Sequence, residues 1–300
     1  MRGCSRISPG CANCYAERIA ARFRGPGKPF EGFVQITNGH PQWTGKVELL
    51  EGALDIPRRV RKPTMWFVNS MSDLFHESLR FEEIARVFDA MMFAHHHTYQ
   101  VLTKRADRLL EFTRWLCCTL DRYRELFPHV WLGVSVEDQQ RADERIPLLL
   151  QTPAAVRFVS YEPALGPVDF TEIKENLGGE SWRTFSALEA TDNLGLSVPR
   201  PRLDWIIVGG ESGPNARPLD VAWVRKTVRD CNEGGVACFV KQLGSHAHRD
   251  EDMALHLNDR KGGDMSEWSE DLRVREMPKV FAGPCASERN TKGLTRDIQD

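Results

Sequence analysis

The sequence has little net charge and no long apolar run. Its 300 residues carry 40 Lys and Arg against 42 Asp and Glu, so composition gives no general support for nucleic-acid binding. No apolar stretch approaches the roughly 18 residues that span a bilayer, and Met1–Cys4 lacks the apolar core of a signal peptide. Phosphate-loop and nucleophile-elbow motifs are also missing. We therefore expect a cytoplasmic protein without a membrane segment.

Six short apolar runs from residue 64 onward are typical of buried strands. Helical patterns lie between most of them, and the apolar residues of the first helix recur at i, i+3, i+4 and i+7. Short strands that alternate with helices indicate an α/β fold with a parallel sheet. The strand centres lie mostly about 25 to 35 residues apart, the usual length of a βα unit, which favours a sheet wound as a parallel (β/α) barrel. The predicted strands are 64–69, 98–103, 130–136, 156–160, 205–208 and 237–240, and the predicted helices are 84–91, 105–117, 139–150 and 221–232.

Two segments interrupt or follow this alternation. Residues 171–202 are rich in Gly, Ser, Thr and Pro and predict a polar surface insertion. The alternation ends after Gly244, where the chain becomes polar. We therefore expect a barrel domain over 1–245 and a C-terminal extension over 246–300, with its end from residue 288 disordered.

Polar side chains follow nearly every predicted strand. In a parallel barrel the carboxyl ends of the strands share one face, and that face holds the active site. The alternative is that strand ends turn polar simply because the chain leaves the core there. The run of charged and amide residues after six successive strands favours a functional face, formed by Asn69, Ser70, Ser72, Asp73, Thr103, Lys104, Arg105, Ser135, Glu137, Ser160, Glu162, Glu211, Ser212, Lys241 and Gln242.

The cysteines are unevenly distributed. Three of the eight, Cys4, Cys11 and Cys14, fall within eleven residues, which in a reducing cytosol indicates a metal or cluster site. Thiolates suit zinc or iron–sulfur iron, and three ligands leave one iron of a cubane open. The alternatives are a zinc site with a fourth ligand such as Cys285 or a histidine, and a redox pair. For the remaining thiols we expect core positions, at Cys117, Cys118, Cys231 and Cys238.

Several ordered sequence blocks carry a resemblance over roughly residues 3–280. They are Gly3-Cys4-Ser5, Ser8–Glu17, Asn69–Phe75, Leu102–Arg105, Trp131–Glu137, Ser160–Pro163, Gly209–Gly213 and Val240–Gly244. In this order they resemble a phage-associated, radical-SAM-like protein family of unassigned function. The resemblance implies a radical-SAM-type partial barrel, with a [4Fe-4S] cluster on Cys4, Cys11 and Cys14. It also implies that S-adenosylmethionine binds the fourth iron and yields a 5′-deoxyadenosyl radical.

The resemblance also implies roles for residues at the strand ends. Gly209-Gly210-Glu211 is similar to the Gly-Gly-Glu element that contacts the methionine amine, although a tight turn explains the glycines equally well; Asp73 is the rival for that amine. Lys104 and Arg105 would meet the carboxylate or a substrate phosphate. Glu137 and Glu162 would contact ribose or substrate, or else cap the following helices.

The sequence differs from the usual radical-SAM pattern at three points. The first cysteine gap holds six residues instead of three. Asn13 stands where an aromatic usually packs near the adenine, and Tyr15, directly after the third cysteine, is the aromatic that we expect to contact the cofactor instead. Only three residues precede Cys4, where a first barrel strand is expected. We therefore expect either a truncated start or a barrel that closes differently.

The partners follow from this chemistry. A one-electron donor such as flavodoxin or ferredoxin would reduce the cluster, and phage association suggests a nucleobase, nucleotide or nucleic-acid substrate. The main alternative is a zinc- or cluster-stabilised nucleic-acid-binding protein without turnover. A hydrolase that uses the strand-end carboxylates is a further alternative.

Overall fold

The computed structural model describes residues 1–119, 128–190, 201–249 and 253–279 of the chain. They form two compact units, and the boundary between the units falls within a strand, after Leu132. The first unit holds residues up to Leu132, and the second holds nearly all residues from Gly133 to Lys279. The predicted disordered end, 288–300, and Cys285 lie outside the described residues.

The described helices and strands include every predicted one. The helices are α1 (Tyr15–Arg22), α2 (Ile56–Arg59), α3 (Phe81–Phe93), α4 (Ala106–Thr119), α5 (Gln139–Gln151) and α6 (Val221–Gly234). The strands are β1 (Val34–Thr37), β2 (His40–Trp43), β3 (Met65–Val68), β4 (Thr98–Thr103), β5 (Val130–Val136), β6 (Val156–Tyr161), β7 (Ile173–Gly178), β8 (Ser181–Phe185), β9 (Trp205–Gly209), β10 (Leu219–Asp220), β11 (Ala237–Gln242) and β12 (Ala247–His248).

The six predicted strands form one sheet in the order β11-β9-β6-β5-β4-β3. Strands β3 and β4 pair in parallel with Met65 opposite Thr98, and β9 pairs in parallel with both β6 and β11. Each of these strands lies beside the preceding one, with a helix in most of the connections, which is the winding of a barrel rather than a doubly wound sheet. The structure confirms the α/β class and is consistent with a partial β/α barrel.

Packing of apolar side chains holds the helices and strands in position. In the first unit, Phe88 of α3 and Phe112 of α4 are buried, and their ring centroids lie 4.9 Å apart. All of β5 is buried, as expected for a strand covered on both faces. In the second unit, a Cβ at Gly133 would lie 2.5 Å from the Phe158 ring, so glycine leaves the space that the ring fills.

The predicted insertion contains a β-hairpin that the sequence did not single out. Strands β7 and β8 pair antiparallel, with Ile173 opposite Phe185, and both of these side chains are buried. Glu175 of β7 pairs with Arg183 of β8. Residues 191–200 of the insertion lie outside the described part of the chain.

The described residues at 253–279 include buried side chains, although the composition of the chain after Gly244 is polar. Trp268 and Leu272 are buried. The N–H of Val240 donates to the carbonyl of Val274 at 2.8 Å, and the N–H of Glu276 donates to the carbonyl of Cys238 at 2.8 Å. This segment therefore pairs along the edge of β11 that β9 leaves open.

The thiols outside the cysteine cluster occupy ordinary structural positions, and so does His97, the last residue of the run His95-His96-His97. Cys231 and Cys238 are buried, as predicted, whereas Cys117 is half-buried and Cys118 is exposed. The core prediction was wrong for Cys118, which lies on the solvent side of amphipathic α4. His97 follows the end of α3 and accepts a hydrogen bond from the Thr64 N–H at Nδ1.

Within the described residues, no helix has both the length and the apolar character needed to cross a bilayer.

Candidate functional site

The three clustered cysteines lie on one short segment of the first unit. A 3-10 turn over Pro9–Cys11 lets the chain reverse between Cys4 and Cys14, and Cys14 is the N-cap residue of α1. Proline and glycine at positions 9 and 10 favour this turn. We call residues 4–14 the cysteine segment.

The thiols of the cysteine segment are all half-buried and outside any disulfide. Burial and then the Asp73 carboxylate raise the pKa of Cys4 to about 12, with smaller contributions from Cys11 and Cys14. Burial also raises the pKa of Cys14. A metal that binds here would have to displace the protons of these thiols.

The buried carboxylate of Glu17 connects the cysteine segment to neighbouring parts of the first unit. Glu17 of α1 is 1% exposed and accepts hydrogen bonds from Arg6 Nε at 2.9 Å and from the Trp43 N–H at 2.9 Å. Cys4 and Cys14 pack against the small apolar cluster that includes Ala16 and Trp43. The ion pair and this cluster together attach the cysteine segment to the β1–β2 hairpin.

The cysteine segment lies at the carboxyl end of β3. Gly3 forms a parallel bridge with Ser72, and the Tyr15 hydroxyl donates to the carbonyl of Ser70 at 2.7 Å. Gly3 has φ +86°, and a Cβ there would lie 2.0 Å from the Lys46 carbonyl oxygen, so only glycine fits. The predicted contact residue Tyr15 is half exposed beside this junction.

Asp73 and Arg105, both predicted site residues, form a buried ion pair of 3.2 Å. The Asp73 carboxylate also accepts from the Phe75 N–H, the Thr103 hydroxyl at 2.7 Å and the Lys104 N–H. Its oxygens are therefore engaged within the protein. The Lys104 side chain is half-buried at the end of β4. The structure thus brings Asp73, Lys104 and Arg105 together at the ends of β3 and β4.

The second unit holds the other predicted contact residues. Glu137 is fully buried and pairs with Arg145 of α5 at 3.1 Å, while the neighbouring Asp138 caps α5 by accepting the Arg141 N–H. Glu137 therefore does not cap that helix. Glu162 pairs with Lys241 at 2.9 Å, and the lysine side chain is 52% exposed. This pair is open to solvent.

The Gly209-Gly210-Glu211 element follows β9 and packs on the end of β11. A Cβ at Gly210 would lie 2.3 Å from the carbonyl oxygen of Leu243, and one at Gly209 would lie 3.2 Å from that of Gln242. Close approach of the two backbones therefore explains both glycines. Glu211 is buried and accepts hydrogen bonds from Arg217 at both carboxylate oxygens.

The donor set of the cysteine segment fits a thiolate-bound metal or cluster. Three soft donors share one segment, and Arg105 only partly offsets burial and Asp73, which raise the pKa of Cys4. Within the described part of the chain, no three His, Cys, Asp or Glu side chains already stand in a metal-binding arrangement. Binding would therefore require the three thiols to turn toward a common centre.

Sequence reasoning missed the residues that support the cysteine segment. Arg6 and Glu17 lie within the cysteine-rich region, but nothing in their spacing indicates an ion pair. Ser5, His76 and Glu77 contact one another across about 70 residues of chain, since the Ser5 hydroxyl lies 2.9 Å from His76 Nε2 and 3.3 Å from Glu77 Oε1. A separation this large leaves no local signal.

Comparison with known proteins gives a family but no function. The sequence model of the family described as DUF5131, a protein of unknown function, matches residues 1–294, so the chain belongs to that family. The chain matches none of the curated proteins and none of the solved structures with which it was compared.

Proposed function

We propose that this member of the DUF5131 family is a radical S-adenosylmethionine enzyme whose [4Fe-4S] cluster is held by Cys4, Cys11 and Cys14. The observation that supports the proposal is the position of the cysteine segment. Three half-buried thiols outside any disulfide share one segment that is bridged to the chain after a parallel strand, and Ser5 of this segment accepts a hydrogen bond from Arg105 at a second strand end. Active sites of parallel barrels occupy that end of the strands.

The cluster would be held by three thiolates, with one iron left for a ligand. Bound in this way, it supplies one electron and an open iron for S-adenosylmethionine, the chemistry that yields a 5′-deoxyadenosyl radical. The protein's own part is to place the thiols and limit water around them. Half-burial of Cys4 and Cys14 against the apolar cluster serves that purpose.

The predicted cofactor-contact residues fall into two groups, according to whether their side chains are buried and paired within the protein or accessible to a ligand. Asp73, Arg105, Glu137 and Glu211 pair with one another or with other residues, so their proposed part is to shape the strand ends. In the first unit, Tyr15 and Lys104 are the more accessible candidates for contact with S-adenosylmethionine or substrate. In the second unit, the Glu162–Lys241 pair is the more accessible of the predicted contact groups. A flavodoxin or ferredoxin donor and a nucleobase or nucleotide substrate remain part of the proposal.

Anaerobic metal analysis tests the proposal. The protein is purified and reconstituted without oxygen, iron, sulfide and zinc are quantified, and the EPR spectrum of the reduced protein is recorded with and without S-adenosylmethionine. We expect about four irons per chain, as for a cubane cluster, and a spectrum that changes on addition of S-adenosylmethionine. Incubation with dithionite and S-adenosylmethionine should release 5′-deoxyadenosine.

Two cysteine variants provide the comparison. The triple variant Cys4→Ala, Cys11→Ala, Cys14→Ala should lose the iron and the EPR signal. The double variant Cys117→Ala, Cys118→Ala removes thiols from α4, away from the cysteine segment, and should keep both. One zinc and no iron in the wild-type protein would overturn the radical chemistry and favour the zinc-stabilised, nucleic-acid-binding alternative.

A further inference from the structure

The hydroxyl of Ser5, directly after Cys4, is held by three side chains from the ends of β3 and β4. It accepts a hydrogen bond from Arg105 Nη2 at 2.7 Å, lies 2.9 Å from His76 Nε2, and donates to Glu77 Oε1 at 3.3 Å. A serine hydroxyl has one proton to donate and two lone pairs. These three contacts use all of them.

The contacts of His76 decide which way its hydrogen bond to Ser5 runs. The Ser78 N–H donates to His76 Nδ1 at 3.2 Å, so Nδ1 is the unprotonated nitrogen of the neutral ring. The proton is then on Nε2, which donates to the Ser5 hydroxyl. His76 is 1% exposed, and the pairing excludes it from acting as a base toward that hydroxyl.

The Arg105 guanidinium donates hydrogen bonds to three different residues. Nε donates to Glu77 at 2.9 Å, Nη1 donates to Asp73 at 3.2 Å, and Nη2 donates to Ser5. The side chain is 7% exposed. A planar fork with five donors can join three acceptors in this way, whereas a lysine ammonium cannot reproduce the geometry.

We infer that Ser5 and Arg105 are positioning residues that fix Cys4 in its place as a metal ligand. The inference rests on the proposed metal site but is independent of which metal the thiols bind. Ser5 follows Cys4 directly, and the Cys4 thiol donates to the Ser5 carbonyl at 3.4 Å, so the contacts that hold Ser5 also hold the backbone from which the Cys4 side chain extends. Partners that orient metal ligands typically change metal affinity about 10- to 100-fold when they are removed.

The test compares five proteins: wild type, Ser5→Ala, Ser5→Thr, Arg105→Lys and Ser269→Ala. Ser5→Ala leaves two buried donors without an acceptor, whereas Ser5→Thr keeps a hydroxyl in place. Ser269→Ala is the matched control, because the Ser269 hydroxyl also accepts a hydrogen bond from an arginine, Arg225, at 3.3 Å, but on the surface of the second unit. Each protein is reconstituted anaerobically, and iron release to bathophenanthroline disulfonate is followed over time.

We expect Ser5→Ala to release iron about tenfold faster than wild type, and to show an altered EPR spectrum in the reduced state. Ser5→Thr and Ser269→Ala should release iron at the wild-type rate. Arg105→Lys provides a second variant and should behave like Ser5→Ala. Circular dichroism of each variant establishes that the comparison is between folded proteins.

The outcomes separate this inference from the proposed function. If wild type holds iron and Ser5→Ala and Arg105→Lys release it no faster than Ser269→Ala, the positioning roles are overturned while the cluster stands. If the protein holds zinc instead of iron, the same release experiment with a zinc indicator tests Ser5 and Arg105 while the radical chemistry fails. If wild type holds neither metal, both proposals are overturned.

Discussion

The carboxylate of Glu17 accepts the backbone N–H of Trp43, and by this contact the first turn of α1 is attached to the β1–β2 hairpin. The same carboxylate pairs with Arg6, which lies between the first two cysteines. One buried group therefore joins Arg6 of the cysteine segment, the first turn of α1 and the β1–β2 hairpin.

Replacing Glu17 with Gln should destabilise the first unit. The neutral amide weakens the ion pair with Arg6 and places an NH2 group against donors in a buried site. We expect a loss of about 1–3 kcal/mol in the free energy of unfolding, measured by urea denaturation with circular dichroism. Glu48→Gln is the control: its ion pair with Arg2 is exposed and worth less than about 1 kcal/mol. Equal losses in the two variants would contradict a special role for Glu17.

Adding a single methyl group at Gly210 should disturb the contact between β9 and β11. A Cβ there would lie 2.3 Å from the Leu243 carbonyl oxygen, which is backbone and cannot rotate away. We expect Gly210→Ala to cost about 1–3 kcal/mol, the usual penalty of forced overpacking. Gly52→Ala, at an exposed position with nothing within 4 Å of a Cβ, should change stability by less than about 0.5 kcal/mol. Thermal unfolding of the two variants provides the measurement.

The stability of the second unit should depend on pH through Asp169. Burial alone would raise the pKa of this carboxyl, but the Thr171 hydroxyl and the Lys226 ammonium outweigh burial and hold it below its ordinary value. A folded-state pKa below the unfolded one stabilises the protein above the unfolded pKa of about 3.9. The stabilisation is lost as pH falls through the lower, folded-state pKa.

Asp169→Asn tests this dependence. Urea unfolding of wild type and variant at pH 7, 5, 4 and 3 should show the largest difference in stability at pH 5 and above, and a decreasing difference below pH 4. A difference that stays constant over this range would show that the carboxylate charge contributes nothing and that only the Thr171 contacts matter.

The sequence predicts the sheet well because each strand carries its own signal. The runs at 130–136 and 156–160 are mostly apolar, and parallel strands buried on both faces need that composition. The β7–β8 hairpin escaped detection because only a few of its side chains, including Ile173 and Phe185, are buried. The polar residues between them resemble those of a loop.

Only those parts of the candidate site that local sequence motifs specify can be predicted from the sequence. The spacing of Cys4, Cys11 and Cys14 is readable in the sequence, and so is the position of Asp73 and Arg105 after strands. That Arg105 binds Asp73, Glu77 and Ser5 is a property of three chain segments brought together by folding. No periodicity or spacing in the sequence could show which acceptors the guanidinium finds.

The pairing of residues 274–276 along β11 can form only late in the synthesis of the chain. Strand β11 emerges from the ribosome more than thirty residues before the segment that covers its edge, since Cys238 is bonded to Glu276. Until that segment arrives, the last strand of the sheet exposes unpaired N–H and C=O groups to any neighbouring nascent chain. The segment that contains Glu276 therefore covers this edge only after all six strands of the sheet have been made.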